Sequence, residues 1–171
     1  MTVTPGTGFV ARMSYNGPND AVYTRTTPDG TTNYVVDLAG ATQIDDKGRQ
    51  PLSPGMRAWV LGHQFHAQMR FFDELVGGST VRDARAPDCD CEERVGRIAA
   101  PDMGIESLSL IVDRRSRQVR KFLVRRAGDE PIVSIPSDWR RVGGRLIPFR
   151  IVLNDGKRVF DFRFDRVTVR D

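Results

Sequence analysis

At 171 residues, with 39% hydrophobic and 28% charged side chains, the chain has the size and composition of one soluble globular domain with a substantial core. No run of about 18 apolar residues occurs, which excludes a membrane-spanning helix. Twenty-six basic against 22 acidic residues leave a net charge of +4, and two cysteines are too few for a disulfide framework.

The start, "MTVTPGTGFVARMSY", has neither a basic n-region nor an apolar h-region, so it does not read as a signal peptide. From Phe9 to Arg49 short β-prone runs alternate with turn signals. "AVYTRTTPDGTTNYVVDL" predicts a hairpin: Val22 to Thr26, a turn at residues 28–30, then Asn33 to Leu38. A second turn is expected at Asp46, Lys47 and Gly48.

Next comes the expectation of one long helix, Pro54 to Val76, about 34 Å at 1.5 Å per residue. Ser53 is its candidate N-cap, Pro54 suits the first helical position, and Gly77 follows its last periodic residue. Ala58, Leu61, Phe65, Met69, Phe72 and Val76 form one apolar stripe. Gly62 weakens the middle, where a kink or a split into two helices is open. On this reading His63 and His66 lie with Trp59, Arg70 and Asp73 on a polar, solvated face.

From Thr80 onward the chain reads as strand again. Leu108, Leu110 and Val112 share one face, as do Ile147, Phe149, Ile151 and Leu153, with Pro148 placing its strand at an edge or a bulge. "RRSR", "AGDE", "RVGG" and "NDGK" join the later runs into an antiparallel meander. In the last run Phe160, Phe162 and Phe164 are out of phase with Val167 and Val169. A β-bulge at Asp165 or Arg166 is therefore expected, turning all five toward the core.

Two histidines and two cysteines invite a zinc reading, and the residue pattern argues against it. His63 and His66 sit on the expected polar face near Arg70, and Cys89-x-Cys91 is tighter than the usual zinc knuckle. Asp88, Asp90, Glu92 and Glu93 would raise a thiol pKa, so neither cysteine reads as a nucleophile. Both read as ordinary thiols of an irregular loop, a Cys89–Cys91 bridge being open only in an oxidising compartment. The acidic loop lacks EF-hand spacing, and no serine-hydrolase elbow, phosphate loop or H-E-x-x-H occurs. The expectation is no enzyme, no catalytic residues, no metal site and no cofactor.

A curved antiparallel sheet, an incomplete β-barrel, packed around one long helix is the expected α+β architecture, in a single domain spanning 1–171. A cleft between helix and sheet would be lined by Trp59, Phe65, Phe71, Phe72, Phe149, Phe160, Phe162 and Phe164, a set that would serve equally as plain core. The ligand-binding candidates are Trp59, Phe65, Phe72, Phe149, Phe160, Phe162 and Phe164. The alternative is an interaction domain whose arginine-rich run, "RRSRQVRKFLVRR" from Arg114 to Arg126, engages phosphates of anionic lipid or nucleic acid. Strand alternation splits that run onto two faces, so only weak, salt-sensitive polyanion binding is expected.

The order of elements, with "PDGTTNYVVDLAGATQIDDKGRQPLSPGMRAW", "LIVDRRSRQVRKFLVRR" and "SDWRRVGGRLIPFRIVLNDGKRVFDFRFDRVTV", resembles the outer-membrane lipoprotein carrier (LolA-like) superfamily. The pattern Asp138, Arg140, Val142, Gly144, Pro148 and Phe149 is similar to that of uncharacterised periplasmic LolA-like domains. This resemblance covers about residues 20–170, and its motifs mark turns and core rather than chemistry. It implies an incomplete barrel plugged by helices, a hydrophobic cavity for a lipid, lipoprotein acyl chains or another apolar ligand, and the periplasm. The chain departs from the pattern in its unmarked start, which leaves the cytoplasm open, and in an expected lack of the N-terminal helix and first strands.

Overall fold

The structure, a computed structural model, describes residues 2–3, 10–17, 20–37, 40–62, 64–86, 89–98 and 105–169. Two antiparallel sheets account for the strands. The smaller is a five-stranded meander of β2 (Val10–Gly17), β3 (Asp20–Thr27), β4 (Gly30–Asp37), β5 (Gly40–Asp45) and β6 (Gly48–Pro51). The larger has eight strands, in the order β1-β13-β12-β11-β10-β9-β8-β7. These are β1 (Thr2–Val3), β7 (Val76–Ala86), β8 (Cys89–Ile98), β9 (Ile105–Asp113), β10 (Val119–Arg126), β11 (Ile132–Val142), β12 (Arg145–Asn154) and β13 (Val159–Arg163). Neither sheet closes into a barrel.

Both expected turns of the first region form. Thr27 pairs with Gly30 across Pro28-Asp29, and Asp45 pairs with Gly48 across Asp46-Lys47. The Val142–Arg145 hairpin turns on Gly143 and Gly144, with φ of 55° and 76°, a conformation that glycine adopts without steric cost. The alternating rows are as read: Leu108, Leu110 and Val112 on β9 are buried, and so are Ile147, Phe149, Ile151 and Leu153 on β12.

The long helix does not form. Residues 54–75 make three short helices: α1 (Pro54–Gly62, 9 residues), α2 (Phe65–Arg70, 6 residues) and α3 (Phe72–Leu75, 4 residues). Ser53 does cap α1, its Oγ accepting from Met56 N–H and its carbonyl from Arg57 N–H. Gln64, with φ −100° and ψ 56°, breaks the path between α1 and α2, and Phe71 breaks it again before α3. The cause is burial on more than one side. Phe65, His66, Ala67 and Gln68 are all buried in succession, which no single-stripe helix achieves. Residues from the helices, from the smaller sheet (Tyr23, Tyr34, Val36) and from the larger sheet (Leu108, Phe122, Ile151, Phe162) share one core. The helical segment is thus packed against both sheets.

Three further expectations change. Pro148 lies inside β12, between β11 and β13, opposite Trp139 of β11. The β12–β13 register reaches only to Arg150, so the proline sits just beyond its neighbour's end and its missing N–H breaks no pairing there. No bulge resumes β13: the strand ends at Arg163, Phe164 N–H still reaches Phe149 O, and the chain bends at Asp165. Phe160 and Phe162 are buried, while Phe164, Val167 and Val169 are half-buried. Ending the ladder removes the period-two constraint, so the phase needs no extra residue. Finally, Cys89 and Cys91 are not loop thiols. They open β8, bonded to each other, with Cys91 buried opposite Ala84 of β7 and Asp113 of β9. Among the described residues no helix is long and apolar enough to cross a membrane.

Candidate functional site

The aromatic candidates fall into three groups around the helical segment. Trp59 of α1 meets the smaller sheet, its ring edge-on to Tyr23 at 6.3 Å and to Tyr34 at 6.4 Å, and those two tyrosines stack on each other at 5.7 Å. Its indole N–H donates to Asp155 Oδ2 (3.3 Å), tying α1 to the β12–β13 turn of the larger sheet. Trp59 is therefore a half-buried bridge, not a residue of a solvated face. Burial also pushes the Tyr23 hydroxyl pKa upward, Arg25 opposing and Tyr34 adding to the shift.

Phe65 of α2 forms the second group. Its ring stands at 90° to Phe122 of β10, 5.3 Å between centroids, and Phe122 is wholly buried. His66 lies beside it, edge-on to Phe164 at 4.7 Å, with Nε2 2.9 Å from Pro148 O. A carbonyl only accepts, so Nε2 carries the proton and donates. The expected polar face is wrong for His66 because β12 and the end of β13 cover it; His63 lies outside the described residues. Phe160 and Phe162 are the third group, stacked at 5.7 Å on the inner face of β13.

The remaining candidates stand apart. Phe72 is buried under the Arg94 guanidinium at 5.3 Å, and Phe149 under that of Arg140 at 4.4 Å. Phe71 is half-buried, edge-on to Tyr15 at 6.1 Å. Sequence reasoning missed Tyr23, Tyr34 and Phe122, whose role as ring partners depends on how the sheets fold over the helices. Their signal was present only as β-strand aromatics at buried positions of the alternation.

His66 gives a pH-dependent prediction. Burial lowers its pKa, and the bond to Pro148 O only partly opposes this. The folded pKa thus lies below the unfolded value of about 6.5, so the unfolded chain binds the proton first. His66 leaves stability intact above that unfolded value, and stability drops as pH falls below it toward the folded pKa. We expect the melting temperature to fall between pH 7.5 and 5.5, and to fall much less in His66→Phe. Identical pH profiles for the two proteins would contradict this.

Four cations of the arginine-rich run are paired within the protein. Arg114 meets Asp83, Asp90 and Glu92; Arg117 lies 3.5 Å from Glu92; Arg120 lies 3.0 Å from Asp113; Arg126 lies 3.5 Å from Asp129. The Ser116 N–H, with help from Arg120 and the Arg115 N–H, holds the Asp113 carboxyl at about 2. These pairs direct the charge of those four arginines at neighbouring carboxylates, and they give the phosphate-binding alternative no support. The described residues contain no group of three or more His, Cys, Asp or Glu side chains arranged to hold a metal ion.

No protein-family model matches the chain, and no curated protein does. Solved structures do match. A LolA superfamily protein from Nitrosomonas europaea superposes with a TM-score of 0.74 at 15% identity, over 95% of this chain and 78% of that one. A domain assigned to outer membrane lipoprotein sorting, from Vibrio parahaemolyticus, superposes with a TM-score of 0.53 at 7% identity, over 90% of this chain and 73% of that one. The chain thus shares its fold with these proteins, a LolA superfamily member among them.

Proposed function

We propose that this protein is a non-enzymatic carrier or binding protein for a lipid, a lipoprotein acyl chain or another apolar ligand, working in the bacterial envelope. The observation that carries the reading is the helical plug. Residues 54–75 are interrupted at Gln64 and at Phe71, yet aromatic rings from both sheets pack on them. Short helices joined by non-helical residues can shift as units, whereas a single packed helix resists displacement. Moving them would uncover Phe65, Phe160 and Phe162, with Trp59, Phe72, Phe149 and Phe164 toward the margins, as an apolar surface for acyl chains. The periplasm is the compartment in this reading, and the Cys89–Cys91 bond is consistent with an oxidising one. The fold's likeness to an outer membrane lipoprotein-sorting domain supports the same class of ligand.

Native mass spectrometry of protein purified without detergent, then delipidated and re-exposed to membrane extract, tests this. Acyl-bearing adducts should return, and 1-anilinonaphthalene-8-sulfonate should bind the delipidated protein and be displaced by them. A protein that takes up no adduct and no dye would refute the proposal.

A further inference from the structure

The larger sheet ends in an open edge. β7 is the last strand of that sheet, paired with β8 on one side and with no described strand on the other. Gly77 to Asp83 are all exposed, so neither face of this stretch is covered. The other end strands are shorter or backed: β1 has two residues, β6 has four and finishes on Pro51, and β2 buries Ala11. β7 runs for 11 residues. An open edge presents a row of unpaired N–H and C=O groups, which proteins usually guard with lysine, proline, a bulge or charge. β7 contains neither lysine nor proline, and its irregularity lies between Val76 and Ser79, so Ser79 to Ala86 follow β8 in unbroken register. Its charges at Arg82 and Asp83 are drawn back across their own sheet. Arg82 lies 2.7 Å from Glu93 of β8, and Asp83 meets Arg114, just past β9. The middle of the stretch offers Val81, 58% exposed.

The strand's own sequence fits a second copy of itself. Two copies of one strand pair antiparallel about a two-fold axis normal to the sheet, and residues directly opposite each other share a face. Side chains alternate between faces, so the axis passes through a residue position rather than between two. At Arg82 or Asp83 it would set like charges directly opposite, which destabilises a pair. Val81 is the midpoint of β7, so an axis there lets the strand pair over its full length. That register places Thr80 opposite Arg82 of the second copy and Ser79 opposite its Asp83, with valine on valine at the centre. We propose that β7 is a self-association edge, through which two copies of this chain join antiparallel about Val81 into one continuous sheet. Main-chain hydrogen bonds supply the attraction, and the exposed valines are covered by each other.

Sedimentation equilibrium of the whole chain over a concentration series tests this. The mass should climb from 19.2 kDa toward twice that value as concentration rises. Val81→Lys and Val81→Glu each put like charges face to face on the axis and should weaken association about tenfold or more. Both variants should melt close to the parent, because residue 81 is exposed. An equimolar mixture of the two should regain the dimer, since lysine then faces glutamate. A parent that stays at 19.2 kDa throughout would overturn the proposal, leaving the edge to a strand of a different protein. So would a dimer that neither substitution weakens, or a mixture no more dimeric than its components.

Discussion

Replacing Phe162 with alanine is expected to destabilise the protein by about 3–5 kcal/mol, the usual cost of deleting a buried phenylalanine ring. Phe162 is 2% exposed, stacks on Phe160 and is paired with Ile151 of β12 on one side and Val3 of β1 on the other. The side chain lies in the core shared by both sheets and the helices, so the cavity cannot be filled by solvent-side rearrangement. For a chain of this size the loss corresponds to a drop of roughly 6–20 °C in melting temperature. Phe164→Ala is the informative comparison. That ring is half-buried past the end of β13 and rests on His66, so its removal should cost clearly less. Equal losses from the two substitutions in denaturant titrations would show that the interior does not extend along β13 as described.

The second large effect concerns a glycine rather than an aromatic ring. Gly96 on β8 lies under the irregular start of β7, where the pairing shifts between Val76 and Ser79. A Cβ at residue 96 would come within 2.6 Å of Val76 Cβ and 2.8 Å of Gly78 O. Val76 is a buried core residue held directly after α3, and a backbone oxygen cannot rotate away. Gly96→Ala should therefore cost about 1–3 kcal/mol, as overpacking generally does, and Gly96→Val more. An alanine variant within about 0.5 kcal/mol of the parent, the range of ordinary surface substitutions, would mean that β7 departs from β8 differently. Because this contact joins the helical plug to the sheet, the substitution should also loosen the plug, seen as faster amide exchange in residues 64–75.

Part of this molecule is written locally. Side chains alternate across a strand because of backbone geometry alone, so the rows Leu108–Leu110–Val112 and Ile147–Phe149–Ile151–Leu153 could be read without knowing what covers them. The same holds for the turns at Pro28-Asp29, Asp46-Lys47 and Gly143-Gly144, and for the Ser53 cap, each of which involves residues within four positions of one another. These local features, in their order, also carried the LolA-like resemblance that the fold bears out. Of the candidate site, the burial of Phe65, Phe72, Phe149, Phe160 and Phe162 followed from their place on apolar faces.

What depended on distant partners was decided by tertiary structure. The helical stripe from Ala58 to Val76 presupposes one covered side and one wet one; two sheets cover the segment, so His66, Gln64 and Gln68 are buried and the helix breaks into three. His66 meets a carbonyl 82 residues away, Trp59 a carboxylate 96 residues away, and Arg114 a carboxylate 31 residues away. No periodicity encodes such pairs. A residue's neighbours along the chain determine which way it points, but whether that direction leads to water, to a carbonyl or to a second sheet is determined by where the rest of the chain is packed.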